Sequence, residues 1–66
     1  MTIVLHGPSG KSLYVNAGAI AYYMAAGDSY LLDCGLFSEI VFSGGGSVSV
    51  VETTEVITSM ISEATP

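Results

Sequence analysis

Apolar and polar positions alternate along most of this chain. Over Thr2-Ile3-Val4-Leu5-His6 the alternation puts Ile3 and Leu5 on one face, and over Ser12-Leu13-Tyr14-Val15-Asn16 it puts Leu13 and Val15 together. Gly7-Pro8-Ser9-Gly10 between them is dense turn chemistry, so the two runs predict a hairpin. Ala19-Ile20-Ala21-Tyr22-Tyr23-Met24-Ala25 is apolar on both faces and ends at Gly27-Asp28. Its β-branched and aromatic content favours a strand covered on both sides, one cover being another subunit. Ser29-Tyr30-Leu31-Leu32-Asp33-Cys34, stopped by Gly35, reads as a further strand. Ser38-Glu39-Ile40-Val41-Phe42-Ser43, with Ile40 and Phe42 inward, is followed by Gly44-Gly45-Gly46 and then Ser47-Val48-Ser49-Val50-Val51. That order predicts a second hairpin with Val48 and Val50 on the core face.

The period changes near the C-terminus. Val56, Ile57, Met60, Ile61 and Ala64 trace one helical stripe, with Thr53 or Thr54 placed to cap it and Glu52 and Glu55 placed to complement the helix dipole. The helix has three turns at most before the final Pro66 and is held by docking its stripe on the sheet or a neighbour. The predicted fold class is mainly β (α+β). Four to six short, mostly antiparallel strands form a small sheet or barrel with one C-terminal α-helix, all within a single domain spanning 1–66.

Composition narrows the function classes. Half of the 66 residues are hydrophobic, 11% are charged, and six carboxylates face a single cation, Lys11, for a net charge of −5. One cation per chain cannot neutralise a phosphate backbone, which excludes nucleic acid as a partner. One Cys excludes an internal disulfide, and one His makes a closed zinc site implausible. Small domains without such staples use partner subunits, so self-association is expected. The N-terminus has no positive region or small-residue cleavage site, and the apolar stretch from Ala17 to Ala26 is too short to cross a bilayer. With the free Cys34, these features place the expected compartment in the cytoplasm, away from membranes.

Ile3-Val4-Leu5, Gly10-Lys11 leading into Leu13-Tyr14-Val15-Asn16, the strand at Ala19-Ile20, and Val51-Glu52-Thr53-Thr54-Glu55-Val56-Ile57 entering a helix together cover about two-thirds of the chain. In this order the chain resembles the small FlbD-like flagellar and swarming-motility proteins, including similar short phage proteins. Residues 27 to 38 read as an insertion relative to that pattern, and where family members carry many Lys, Arg and Glu residues this chain has almost no cations. The resemblance implies a β-rich fold with a terminal helix and a small non-enzymatic accessory role, in a phage-encoded member within host cytoplasm or virion.

The chemical motifs are sparse. Gly7-Pro8-Ser9-Gly10-Lys11-Ser12 lacks the leading glycine of a Walker A loop, since Leu5 stands there, and a strand rather than a helix follows it. As an anion-binding candidate there remain Gly10, Lys11 and Ser12, a turn whose N–H groups and lysine could hold an anion at a subunit junction. His6 with Ser9 and Asp33 or Asp28 has the residue types of a hydrolytic triad without a nucleophile elbow. Cys34 reads as a small packed hydrophobe. The spacing of Asp28, Asp33 and Glu39 fits no calcium loop. No metal or cofactor is expected.

Interface candidates are Tyr14, Tyr22, Tyr23 and Met24, together with Ile57, Met60 and Ile61 of the helix stripe. Tyr14 and Tyr23 fall off the main apolar phase and suit an interface or pocket wall, while Tyr22 and Tyr30 also fit a core. The sequence therefore predicts a non-enzymatic homo-oligomer acting by protein–protein contacts, in virion decoration or host-protein binding. The alternative is a small-molecule binder that sequesters an anionic, nucleotide-like ligand at subunit junctions.

Overall fold

Strand β1 (Thr2–His6) and strand β2 (Ser12–Asn16) pair antiparallel, with Ile3 opposite Val15 and Leu5 opposite Leu13. The computed structural model describes residues 1–27 and 29–64; the expectations placed on Asp28, on Pro66 and on the side chain of Ala64 lie outside the described residues. The alternation works as read: Ile3, Leu5 and Val15 are buried, and Val4 and Tyr14 face outward as a cross-strand pair. The tip is a tight turn over Pro8–Gly10 in which the Gly7 N–H donates to the Lys11 carbonyl (2.8 Å) and the Gly10 N–H to the Gly7 carbonyl (3.1 Å). Gly7 is buried against Leu13, whose Cδ1 would stand 3.0 Å from an added Cβ, so a larger residue there must push the Leu13 side chain aside.

Three more strands, β3 (Ile20–Ala25), β4 (Ser38–Phe42) and β5 (Ser47–Val50), form a second antiparallel sheet in that spatial order. The second hairpin is the predicted one, with Ile40 opposite Val48, although β5 stops at Val50. The described residues form five strands in two separate antiparallel sheets, which do not close into a barrel.

Two readings of this half of the chain are corrected. The register of β3 slips between Ile20 and Tyr22, which leaves Ala21 as an extra residue. The bulge puts Ile20 and Tyr23, three apart, both against the core and turns Tyr22 out, 53% exposed. Strict alternation from Ile20 had assigned them the other way.

The second correction concerns Ser29–Asp33, read as a strand and found as a short helix, α1. The Leu36 N–H donates to the Leu31 carbonyl (2.9 Å) and the Gly35 N–H to the Leu32 carbonyl (3.0 Å), while Gly35 has φ of 80°. This is a Schellman ending, in which a glycine reverses the chain and the following apolar residue meets the last turn. Gly35 stops a helix here, not a strand. Tyr30, offered as a core residue, is 70% exposed on this helix.

Helix α2 (Thr54–Ala64) is capped by Thr53, whose Oγ1 accepts from the Val56 N–H at 3.4 Å. Its apolar stripe closes the core. Ile57 joins Ile3, Leu5, Val15, Ile40 and Val50 in one buried cluster, with Met60 and Ile61 packed against it. Ile57 is fully buried within its own chain, so it is withdrawn from the interface candidates. Ser38 is also fully buried, and its hydroxyl finds no hydrogen-bond partner among the described residues.

Candidate functional site

The outer edge of β5, the last strand of its sheet, has no strand beside it among the described residues. The Phe42 N–H donates to the Gly46 carbonyl (3.1 Å), and the antiparallel register carries that phase along the hairpin. Residues 46, 48 and 50 therefore bond to β4, and the peptide groups of Ser47 and Ser49 point away from it. Outside the ladder, no backbone hydrogen bond among the described residues uses those groups. β5 has no charge, no proline and no bulge of its own, the devices that normally blunt a sheet edge.

A groove of about 680 Å³ runs along this edge. Ser47, Val48 and Ser49 form its floor, the hairpin tip at Pro8 and Ser9 one wall, and Tyr30, Leu31, Cys34 and Leu36 the other. Each wall has a local cause. Ser9 holds a positive φ of 65° within the tight turn that forms the first wall. The Schellman ending of α1 fixes Leu31 and Leu36 side by side. A smaller depression, lined by Met24, Ala25, Ala26, Gly27, Leu31 and Glu39, adjoins it through Leu31.

The hairpin tip is held near β5 by a polar clasp that sequence reasoning missed. The Val51 N–H donates to the His6 carbonyl (2.8 Å), the His6 N–H donates to Glu52 Oε1 (2.9 Å), and His6 Nδ1 lies 2.7 Å from Glu52 Oε2. Burial pushes the Glu52 carboxyl up, but the hydrogen bonds from the His6 ring and peptide, with its own peptide N–H and the His6 charge, outweigh that and hold it below the ordinary carboxylate value. Glu52 was assigned to the helix dipole. It serves instead as the acceptor for a strand edge. The His6 ring is thus engaged with Glu52 rather than with Ser9 or Asp33.

The other sequence-predicted residues scatter. Tyr14 is 75% exposed on the outer face of β2. Tyr22 and Met24 are exposed on the outer face of the three-stranded sheet, where Tyr22 neighbours Val41 and Met24 neighbours Glu39. Tyr23 is half-buried, with its hydroxyl 2.6 Å from Thr58 Oγ1, and so links β3 to α2. Gly10, Lys11 and Ser12 are exposed, and the N–H groups of Gly7, Gly10 and Lys11 are used inside the turn. Lys11 does not line the groove. Cys34 is a free, exposed thiol on the groove wall, not a packed hydrophobe. No group of three His, Cys, Asp or Glu side chains suited to a metal ion occurs among the described residues.

No family model, curated protein or solved structure matches this chain. The functional reading rests on the geometry of the groove and of the open edge. A sequence signal exists for the floor alone: Ser-Val-Ser-Val carries no charge to guard an edge, while its place at the end of the sheet comes from the structure. No helix among the described residues is long and apolar enough to cross a membrane.

Proposed function

We propose that this chain is a non-enzymatic interaction module that works by protein–protein contacts, with the β5 groove as its recognition surface. The observation that carries the reading is the open edge of β5 lying as the floor of an apolar groove. Unpaired strand edges bind extended segments by completing the ladder, and flanking pockets take alternate side chains. Among the described residues the lining has hydroxyl, thiol and apolar groups and no cationic side chain, which gives an anionic small molecule little to hold. The exposed thiol of Cys34 supports a reducing compartment such as the cytoplasm.

The test is a selection of linear peptides against the folded chain and against Ser49→Pro. The proline removes an outward N–H while leaving the bonds to β4 in place. Peptides enriched on the parent chain should lose binding to the variant and should shift the amide signals of Ser47 and Ser49. Selected peptides that bind both forms equally would sink the reading.

A second contact has its own observation. Tyr22, Val41 and Met24 leave an apolar patch on the outer sheet face, supporting self-association there. Sedimentation across a concentration range should show an oligomer that Tyr22→Ser weakens.

A further inference from the structure

We infer that the β5 groove takes an extended, cation-bearing segment of another protein, added antiparallel or parallel as a fourth strand beside β5. This rests on the interaction-module reading above and names the partner's chemistry. The backbone supplies the first half of the argument. Ser47 and Ser49 turn their peptide donors and acceptors into the groove, and a strand of about four residues covers β5 at roughly 3.3 Å per residue. Alternate side chains of that segment fall toward Val48 and Leu36 on one side and toward solvent on the other.

Charge supplies the second half. Asp33 lies next to groove-lining Cys34, and Glu39 sits directly across β4 from Ser49, half-buried in the depression that adjoins the groove. Neither carboxylate has an ion-pair partner among the described residues, where the recorded pair is His6 with Glu52. The chain as a whole carries −5. An entering segment with Lys or Arg therefore meets a complementary field and two carboxylates that gain a partner. A second copy of this chain does not fit the role. Its single cation, Lys11, lies at the end of a tight turn before β2, so a copy has no extended cationic strand to donate.

The experiment is a fluorescence anisotropy titration of the whole chain with three synthetic eight-residue peptides. One alternates Val and Thr with two Lys, one replaces both Lys by Glu, and one is the Lys peptide N-methylated at alternate residues. The Lys peptide should bind. The N-methylated form should bind at least about tenfold more weakly, because it loses ladder bonds. The Glu form should not bind, and added salt should weaken the Lys peptide. Glu39→Gln should cost about threefold, the scale of a rim charge. Equal binding of the Lys and Glu peptides overturns the basic-partner inference while leaving strand addition intact. Equal binding of the N-methylated peptide overturns strand addition itself. Absence of binding by all three overturns both, and since no variant is needed for these arms, misfolding cannot account for that result.

Discussion

His6 and Glu52 stand 46 residues apart and meet through two hydrogen bonds, 2.9 Å from the His6 N–H to Oε1 and 2.7 Å between Nδ1 and Oε2. At His6 the ladder with β2 leaves the peptide groups pointing outward, and residues 51 and 52 satisfy them from the start of the last connection. The clasp thus joins the first strand to the segment that launches α2. Glu52→Ala should destabilise the fold by about 1 kcal/mol in urea titration, the scale of hydrogen bonds lost at a part-buried donor. Glu52→Gln, which keeps one acceptor oxygen, should lose less. Equal losses would mean that the His6 N–H is satisfied by water.

The same pair sets an acid limit. Since the Glu52 carboxyl is held below its ordinary value of 4.5, its stabilising effect is fully present above that value and is lost as pH falls through the lower folded value. Melting temperatures taken from neutral pH downward should fall in that acid window, and the Glu52→Gln profile should be flatter there. Parallel profiles would remove Glu52 as the cause.

Ile57 separates core from interface. Its side chain is fully buried among β1 and the second sheet, so Ile57→Ala should cost about 2–5 kcal/mol at any protein concentration. Thermal melts at several concentrations make the check: a loss that disappears on dilution would return Ile57 to the interface.

Ser38 predicts the opposite sign. Its buried hydroxyl has no hydrogen-bond partner among the described residues, so Ser38→Ala should leave stability unchanged or raise it by up to about 1 kcal/mol. A loss larger than that, read by urea denaturation, would show that the hydroxyl is satisfied after all.

The second hairpin depends on positive φ at Gly45 (100°) and Gly46 (87°). Gly45→Ala should cost about 1 kcal/mol or more, whereas Gly44→Ala, in open space and outside that region, should be tolerated. Hydrogen exchange at the amides of β4 and β5 would separate the two: similar protection in both variants would contradict the turn geometry.

Both hairpins, the glycine turn and the helix stripe could be read from the chain, because each is decided by neighbours in sequence. Alternation of Ile3 with Leu5 and of Val48 with Val50 needs only a two-residue period, and Val56, Ile57, Met60 and Ile61 need only a helical one. Where a local signal was ambiguous, the reading failed. Tyr30-Leu31-Leu32 is too short for its period to separate helix from strand, and only the bonds from Gly35 and Leu36 to the preceding turn show which it is. The candidate site was less legible still. Its floor could be read as a strand, but that β5 is last in its sheet depends on β4 pairing with β3 on its other side.

Sequence alone determined the strand-rich class, the two turns, the terminal helix and the acidic, cation-poor surface, since those follow from local periodicity, backbone preference and composition. Only the tertiary structure decided that β5 ends its sheet, that Ala21 bulges and reverses the tyrosines, that Glu52 clasps His6, and that Ile57 is core. Each of these depends on partners far apart in the chain, and a period of two or of 3.6 residues does not encode which distant segment will come to lie alongside.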